Sequence, residues 1–328
     1  MRAAADALRD GAVLAVKGLG GYHLAALAAD ETAVAVLRAR KHREDKPFAV
    51  LAPDLAGARG LGAVGPAEVA ELTSRRAPIV LLRRRPGARL AAAVAPGNDH
   101  VGVLLPYTPL HHLLAGELAA PIVLTSGNVS DEPIAHRDDD AAARLTGIAD
   151  AFLTHDRPIR TRADDSVVRI VAGRPYPVRR SRGYAPEPVP LPVTAARPVL
   201  GCGAELKNTF CVLRGAEAFV SHHVGDLENA ETLAAYTDGI AHLQHLLAAA
   251  PLVLAHDLHP EYLSTKYALA RAEADPGVEL VGVQHHHAHI AACLAENGET
   301  GPAIGLACDG LGYGTDGALW GGEVLDAT

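Results

Sequence analysis

Aromatic residues are scarce in this chain: they make up 4% of it, with one tryptophan and one methionine. Its cores must therefore be built from Ala, Val and Leu, which the 49% hydrophobic content supplies. Cysteine is scarce as well. Cys202, Cys211, Cys293 and Cys308 form no CxxC pair, which argues against a zinc finger or a disulfide framework and points to a reducing cytoplasm. A basic surplus is absent. The net charge is −8, which disfavours nucleic acid as a partner. No stretch reaches the ~18–20 apolar residues of a membrane span. The opening MRAAADALRDGAVLAV lacks the long apolar core of a signal peptide, so no membrane association is expected.

Against these absences stands a length of 328 residues, enough for two ordinary domains. Short Val/Ile/Leu runs at 48–52, 78–82, 101–105 and 121–125, bounded by Pro or Gly, predict buried strands. Helical stretches at 30–41, 66–75, 109–117 and 137–147 alternate with them, so this region is mixed α and β. Between Tyr184 and Pro198 stand Pro186, Pro188, Pro190, Pro192 and Pro198. Proline at this density forbids helix and interrupts a sheet ladder, which predicts an extended linker and a domain boundary near residue 190. Beyond it, strands at 198–202, 209–214 and 217–222 precede a helix at 228–249. A strand at 251–255, a helix near 260–274, a strand at 279–284, a helix at 285–297 and a strand at 302–308 follow. That order fits one half of an actin-like nucleotide-binding domain.

Six segments carry candidate chemistry. Arg38, Arg40, Lys41, Arg43 and Lys46 put five cations within nine residues at a helix end. The pattern suits a phosphate clamp, and also a solvated basic face. Leu124–Ser130 (LTSGNVS) follows a predicted strand, where α/β sheets bind ligands. Asp164, Asp165 and Ser166, with Arg179, Arg180 and Arg182 downstream, offer carboxylates for Mg²⁺ and guanidinium groups for phosphate, or surface ion pairs. His285 and His289 are four apart on a predicted helix, so both imidazoles share one face and can share a metal. The HExxH glutamate is missing there, which argues against a protease, and imidazole suits several metals. Asp309 opens a glycine-rich stretch, DGLGYGTDG, where it can serve as a third metal ligand or hold Mg²⁺. Lys207, in GCGAELKNT, sits where an actin-like half-domain holds phosphate.

Taken together, GAVLAVKGLGGYH, RARKHREDKPF, PIVLTSGNVSDEPI, the stretch 164–186, the stretch 201–227, VQHHHAHIAACLAEN and DGLGYGTDGALWGGE resemble the HypF family of hydrogenase-maturation carbamoyltransferases over essentially the whole chain. The resemblance implies a YrdC-like α/β domain with a twisted mixed sheet over 1–189. It implies the N-terminal half of an actin-like, ribonuclease-H-like carbamoyltransferase domain over 190–328. It further implies ATP and Mg²⁺, formation of carbamoyl-AMP from carbamoyl phosphate or carbamate, and transfer to the C-terminal cysteine of a HypE-like partner. Catalytic roles then fall on Lys41, Arg43 and Lys46. Substrate contacts fall on Lys17, Arg40, Ser126, Asn128, Ser166, and Arg180 or Arg182. A divalent metal, Fe or Zn, falls on His285, His289 and Asp309. The family's acylphosphatase-like domain, zinc-finger region and second actin-like half have no counterpart here, so the expectation is a fragment with slow or absent transfer. The competing expectations are a small-molecule O-carbamoyltransferase, a threonylcarbamoyl-adenylate synthase of tRNA modification, and a non-catalytic nucleotide-binding fragment.

Overall fold

In the computed structural model, residues 1–129 and 132–327 are described. Ser130 of the LTSGNVS motif lies outside them. The chain divides into two compact units, Met1–Tyr184 and Ala185–Thr328.

The first unit runs α1 (Arg2–Arg9), β1 (Leu14–Lys17), β2 (Tyr22–Leu27), α2 (Glu31–Arg40), β3 (Ala49–Leu51), α3 (Leu55–Leu61), α4 (Pro66–Leu72), β4 (Ile79–Arg83), β5 (His100–Leu104), α5 (Pro109–Leu118), β6 (Ile122–Ser126), α6 (Asp138–Leu145), β7 (Ala151–Leu153), β8 (Val167–Val171) and β9 (Arg174–Arg179). Its nine strands form one mixed sheet in the order β7-β1-β2-β6-β3-β5-β4-β8-β9. Both faces are covered, so the central strands are apolar throughout. Tyr22, Leu24 and Ala26 enter one core with Val34 and Leu37 of α2 and Leu145 of α6. Leu14, Val16 and Ala25 enter the other, with Leu8 of α1 and Leu114 and Leu118 of α5. Each fully buried Leu or Val contributes about 1.5–3 kcal/mol. Asp30 starts α2 by accepting the Ala33 N–H at 3.0 Å, and α2 delivers Lys41 to the end of β6.

The second unit runs β10 (Val189–Pro190), β11 (Val199–Gly201), β12 (Cys211–Arg214), β13 (Glu217–Val220), α7 (Ala230–Leu247), β14 (Val253–Asp257), α8 (Leu263–Ala274), β15 (Glu279–Val283), α9 (His285–Asn297), β16 (Ala303–Tyr313) and β17 (Leu319–Ala327). Six strands form a sheet in the order β10-β13-β12-β11-β14-β15, parallel from β11 through β14 to β15. Leu200, Phe210, Val212, Tyr236, Ile240 and Leu254 make its core. The proline-rich segment is not a free linker along its whole length. Val189 and Pro190 pair with β13, and Leu191 donates its N–H to Ala216 at 2.8 Å, because alternate prolines leave every second N–H available to an edge.

The glycine-rich stretch after Cys308 also differs from expectation. It is no loop at a strand end: β16 runs through it to Tyr313, turns, and pairs with β17 as a separate two-stranded sheet with a register shift between Cys308 and Gly312. The glycines answer to packing. A Cβ on Gly312 would collide with the His286 ring, and one on Gly314 with the Trp320 indole. Among the described residues, no helix is long and apolar enough to cross a membrane.

Candidate active sites in each unit

Lysine is among the residues least often buried, yet Lys41 is 1% exposed. It is the C-cap of α2, and His42 beyond it turns the chain with φ 52°. The ammonium donates to the Ser126 carbonyl at 2.8 Å, the Asn128 carbonyl at 2.6 Å and Asn128 Oδ1 at 2.5 Å. The Ser126 hydroxyl donates to the same Oδ1 at 2.7 Å, while Asn128 Nδ2 donates to the Glu132 carbonyl. The structure thus brings Lys41, Ser126 and Asn128 together. Burial, and then the charges of Arg43 and Lys46, push the Lys41 ammonium down to about 7, with Asp164 opposing.

The loop that follows is held by its own arginines. Arg38 donates to the carbonyls of Ala93, Arg43, Glu44 and Lys46, and Arg43 to those of Lys46 and Pro47. Both guanidinium groups lie over Phe48, at 4.6 and 5.1 Å from its centroid. Burial, followed by Arg38 and Arg179, pushes Arg43 down to about 10. Lys46 is exposed at the loop's rim. This crowding of cations at the C-terminal end of β6 favours a multiply charged anion.

Several of the other candidate residues make internal ties. Lys17, fully buried, donates to Asp138 at 2.7 Å and to the His155 carbonyl at 2.9 Å. Arg40 points away from Lys41 to Asp150 and the Ile148 carbonyl. Ser166 donates to the Arg182 carbonyl and accepts the Ser181 N–H, and Arg180 donates to the Tyr184 carbonyl. Arg182 donates to Asp165 at 2.8 Å and to the carbonyls of Arg76 and Ala77, and stacks 3.6 Å from the Tyr107 centroid. Lys17, Arg40, Ser166 and Arg182 are therefore tied to internal partners, as the Lys41 ammonium itself is. Asp165 is tied internally as well. It is buried against Arg182, Tyr107 and His23. Burial alone would raise it, but the His23 hydrogen bond and the Arg182 charge hold its carboxyl well below the usual range.

In the second unit, His285, His289 and Asp309 converge. His285 Nε2 lies 2.7 Å from Asp309 Oδ2, His289 Nε2 lies 3.3 Å from the same oxygen, and the two Nε2 atoms are 3.2 Å apart. Ligands about 2.0–2.1 Å from a tetrahedral ion stand roughly 3.3 Å from each other. The two separations made by His289 match this, and the 2.7 Å contact of His285 with Asp309 is at hydrogen-bond distance and would open by about 0.6 Å around an ion. Two imidazoles and a carboxylate suit iron or zinc. The Gln284 side chain caps α9 by accepting the His287 N–H at 2.9 Å, which sets the helix start and with it both histidines. Asp257, at the end of β14, places Oδ2 2.6 Å from His285 Nδ1. The signal that could have found it is the HDLH string directly after the strand at 251–255. Lys207 stands exposed with φ 50°, its N–H donated to Asp226 at 2.6 Å.

Comparison with known proteins now adds the lineage. The Sua5/YciO/YrdC family profile, described as "Telomere recombination", matches residues 6–181, and the HypF Kae1-like domain profile matches residues 194–296. Carbamoyltransferase HypF2 of Cupriavidus necator is 52% identical over 97% of the chain, and carbamoyltransferase HypF of Synechocystis sp. is 47% identical over 99%. The chain belongs to the HypF family. It spans 41% and 42% of the length of those two relatives. A full-length HypF solved with phosphate and nucleotide bound superposes with a TM-score of 0.94 at 46% identity, covering 99% of this chain and 51% of that one. The HypF of T. kodakarensis gives 0.93 at 42% identity, over 98% and 42%. Sua5 of P. abyssi, solved with L-threonine, shares the fold at 17% identity and a TM-score of 0.52, over 86% of this chain and 95% of that one. In HypF terms, the first unit is the YrdC-like region and the second begins the Kae1-like one.

Proposed function

We propose that this chain carries the carbamoyl-adenylate-forming region of a HypF carbamoyltransferase and the metal-bearing start of its transfer region. The buried Lys41 ammonium, fixed on Ser126 and Asn128 beside Arg43 and Lys46, is the observation that carries the reading. A carbamate oxygen attacks the α-phosphorus of Mg·ATP, the bond from that phosphorus to the bridging oxygen breaks, and pyrophosphate leaves with the electron pair. Negative charge grows on the leaving group, and preorganised cations stabilise it without reorganising. Arg38 and Arg43, by holding the loop's carbonyls, keep those cations in place. The transfer step moves the carbamoyl group from AMP to the C-terminal cysteine thiolate of a HypE-like partner. His285, His289 and Asp309 would hold the iron or zinc, which when bound supplies Lewis acidity toward the carbamoyl oxygen.

The test is product analysis of the chain with Mg·ATP and carbamate supplied directly. Pyrophosphate and AMP should form in equal amounts, since the adenylate hydrolyses once released. Formation only when threonine and bicarbonate are both present would replace this reading with threonylcarbamoyl-adenylate synthesis. A second expectation concerns the metal. Zinc should bind in a one-to-one ratio in a competitive chelator titration. His289→Ala should weaken it by more than the roughly 10–100-fold that loss of an outer partner costs.

A further inference from the structure

His285 meets a carboxylate at each ring nitrogen: Asp257 Oδ2 at Nδ1, 2.6 Å away, and Asp309 Oδ2 at Nε2, 2.7 Å away. A neutral imidazole has one N–H, so only one of these contacts can be a hydrogen bond donated by His285. The other nitrogen presents a lone pair. Which carboxylate takes the proton decides whether Nε2 can coordinate anything.

We infer that Asp257 is a positioning residue that keeps the proton of His285 on Nδ1, leaving the Nε2 lone pair aimed at the space shared with His289 and Asp309. The inference rests on the metal-site reading above and deepens it. Asp257 is the better fixed of the two acceptors. Its side chain is 6% exposed against 36% for Asp309. Its other oxygen accepts the His259 N–H at 2.8 Å, and its backbone carbonyl accepts the hydroxyl of the buried Thr265 at 3.0 Å. Parallel pairing sets Asp257 opposite Val283, two residues before His285. The ends of β14 and β15 therefore fix the distance between carboxylate and ring, and neither partner need move when an ion arrives. A carboxylate accepting from the far nitrogen of a metal-bound histidine also raises the basicity of the ligating one.

The test is histidine ¹⁵N spectroscopy of the metal-free full chain in alkaline buffer, where the imidazole is neutral, followed by zinc titration. Wild-type His285 should show the Nδ1–H tautomer. In Asp257→Asn the amide N–H can donate to Nδ1, which drives the proton to Nε2, and zinc affinity should fall by about 10–100-fold. His289 should keep its wild-type shifts. An Nε2–H tautomer in wild type, or unchanged zinc affinity in a folded Asp257→Asn variant, would overturn the inference. The wild-type tautomer decides the matter even if that variant does not fold. Should wild type bind no zinc while showing Nδ1–H, the metal reading fails and the role of Asp257 in orienting His285 stands.

Discussion

Lys41→Met should lower the rate of carbamate-dependent pyrophosphate formation by about 10²–10³-fold, the range seen when one preorganised donor is removed from an active site. Methionine preserves the length and apolar body of the side chain in a position 1% exposed, so the fold should survive. The loss should fall on the rate, because the ammonium meets charge that grows as pyrophosphate departs. The wild-type pH profile carries a second signature. With Lys41 pushed down to about 7 by burial and neighbouring cations, the competent ammonium is present below that pH and lost above it. The kcat/KM for carbamate should therefore decline as pH rises through about 7, and a flat profile to pH 9 would argue that Lys41 does not act as a cation.

Asp165→Ala should destabilise the first unit by about 3–5 kcal/mol, the cost of leaving a buried guanidinium without its counter-ion. Arg182 is fixed on Asp165 and on two backbone carbonyls, and both side chains of the pair are only 9% exposed. Urea midpoints at constant slope measure the effect. Its pH dependence follows from the depressed native value. The stabilisation is fully present above the unfolded aspartate value of about 3.9 and is lost as pH falls from there through the native value. The gap between wild type and Asp165→Ala should thus be constant near neutrality and close in acid. A difference below about 1 kcal/mol at pH 7 would mean that the pair behaves as an exposed one.

The strands at β3, β4, β5 and β6 are legible in the sequence because Pro and Gly bound short apolar runs. β2 is not, because YHLAAL follows two glycines and carries a histidine, and only burial on both sheet faces makes it a central strand. The hairpin β8–β9 hides its nature behind arginines that edge strands keep in solvent. The same division applies to the sites. His285 and His289 are readable because helical spacing puts them on one face, whereas Asp257 needs the register of β14 on β15. The internal partners of the cations were hidden for one reason. Sequence displays a charge but not its partner, and Lys17 meets Asp138 across 121 positions, Arg40 meets Asp150 across 110, and Arg182 meets Asp165 across 17.

That Lys41, Ser126 and Asn128 form the seat of an acyl adenylate is tested most directly by binding a stable mimic. 5′-O-(N-Carbamoylsulfamoyl)adenosine, titrated calorimetrically into the full chain, should occupy one site. Lys41→Met should weaken it by about 10–100-fold, as loss of the buried cation that also fixes Ser126 and Asn128 predicts. Equal affinity in the two proteins, with Lys41→Met folded, would place the nucleotide elsewhere and contradict the account.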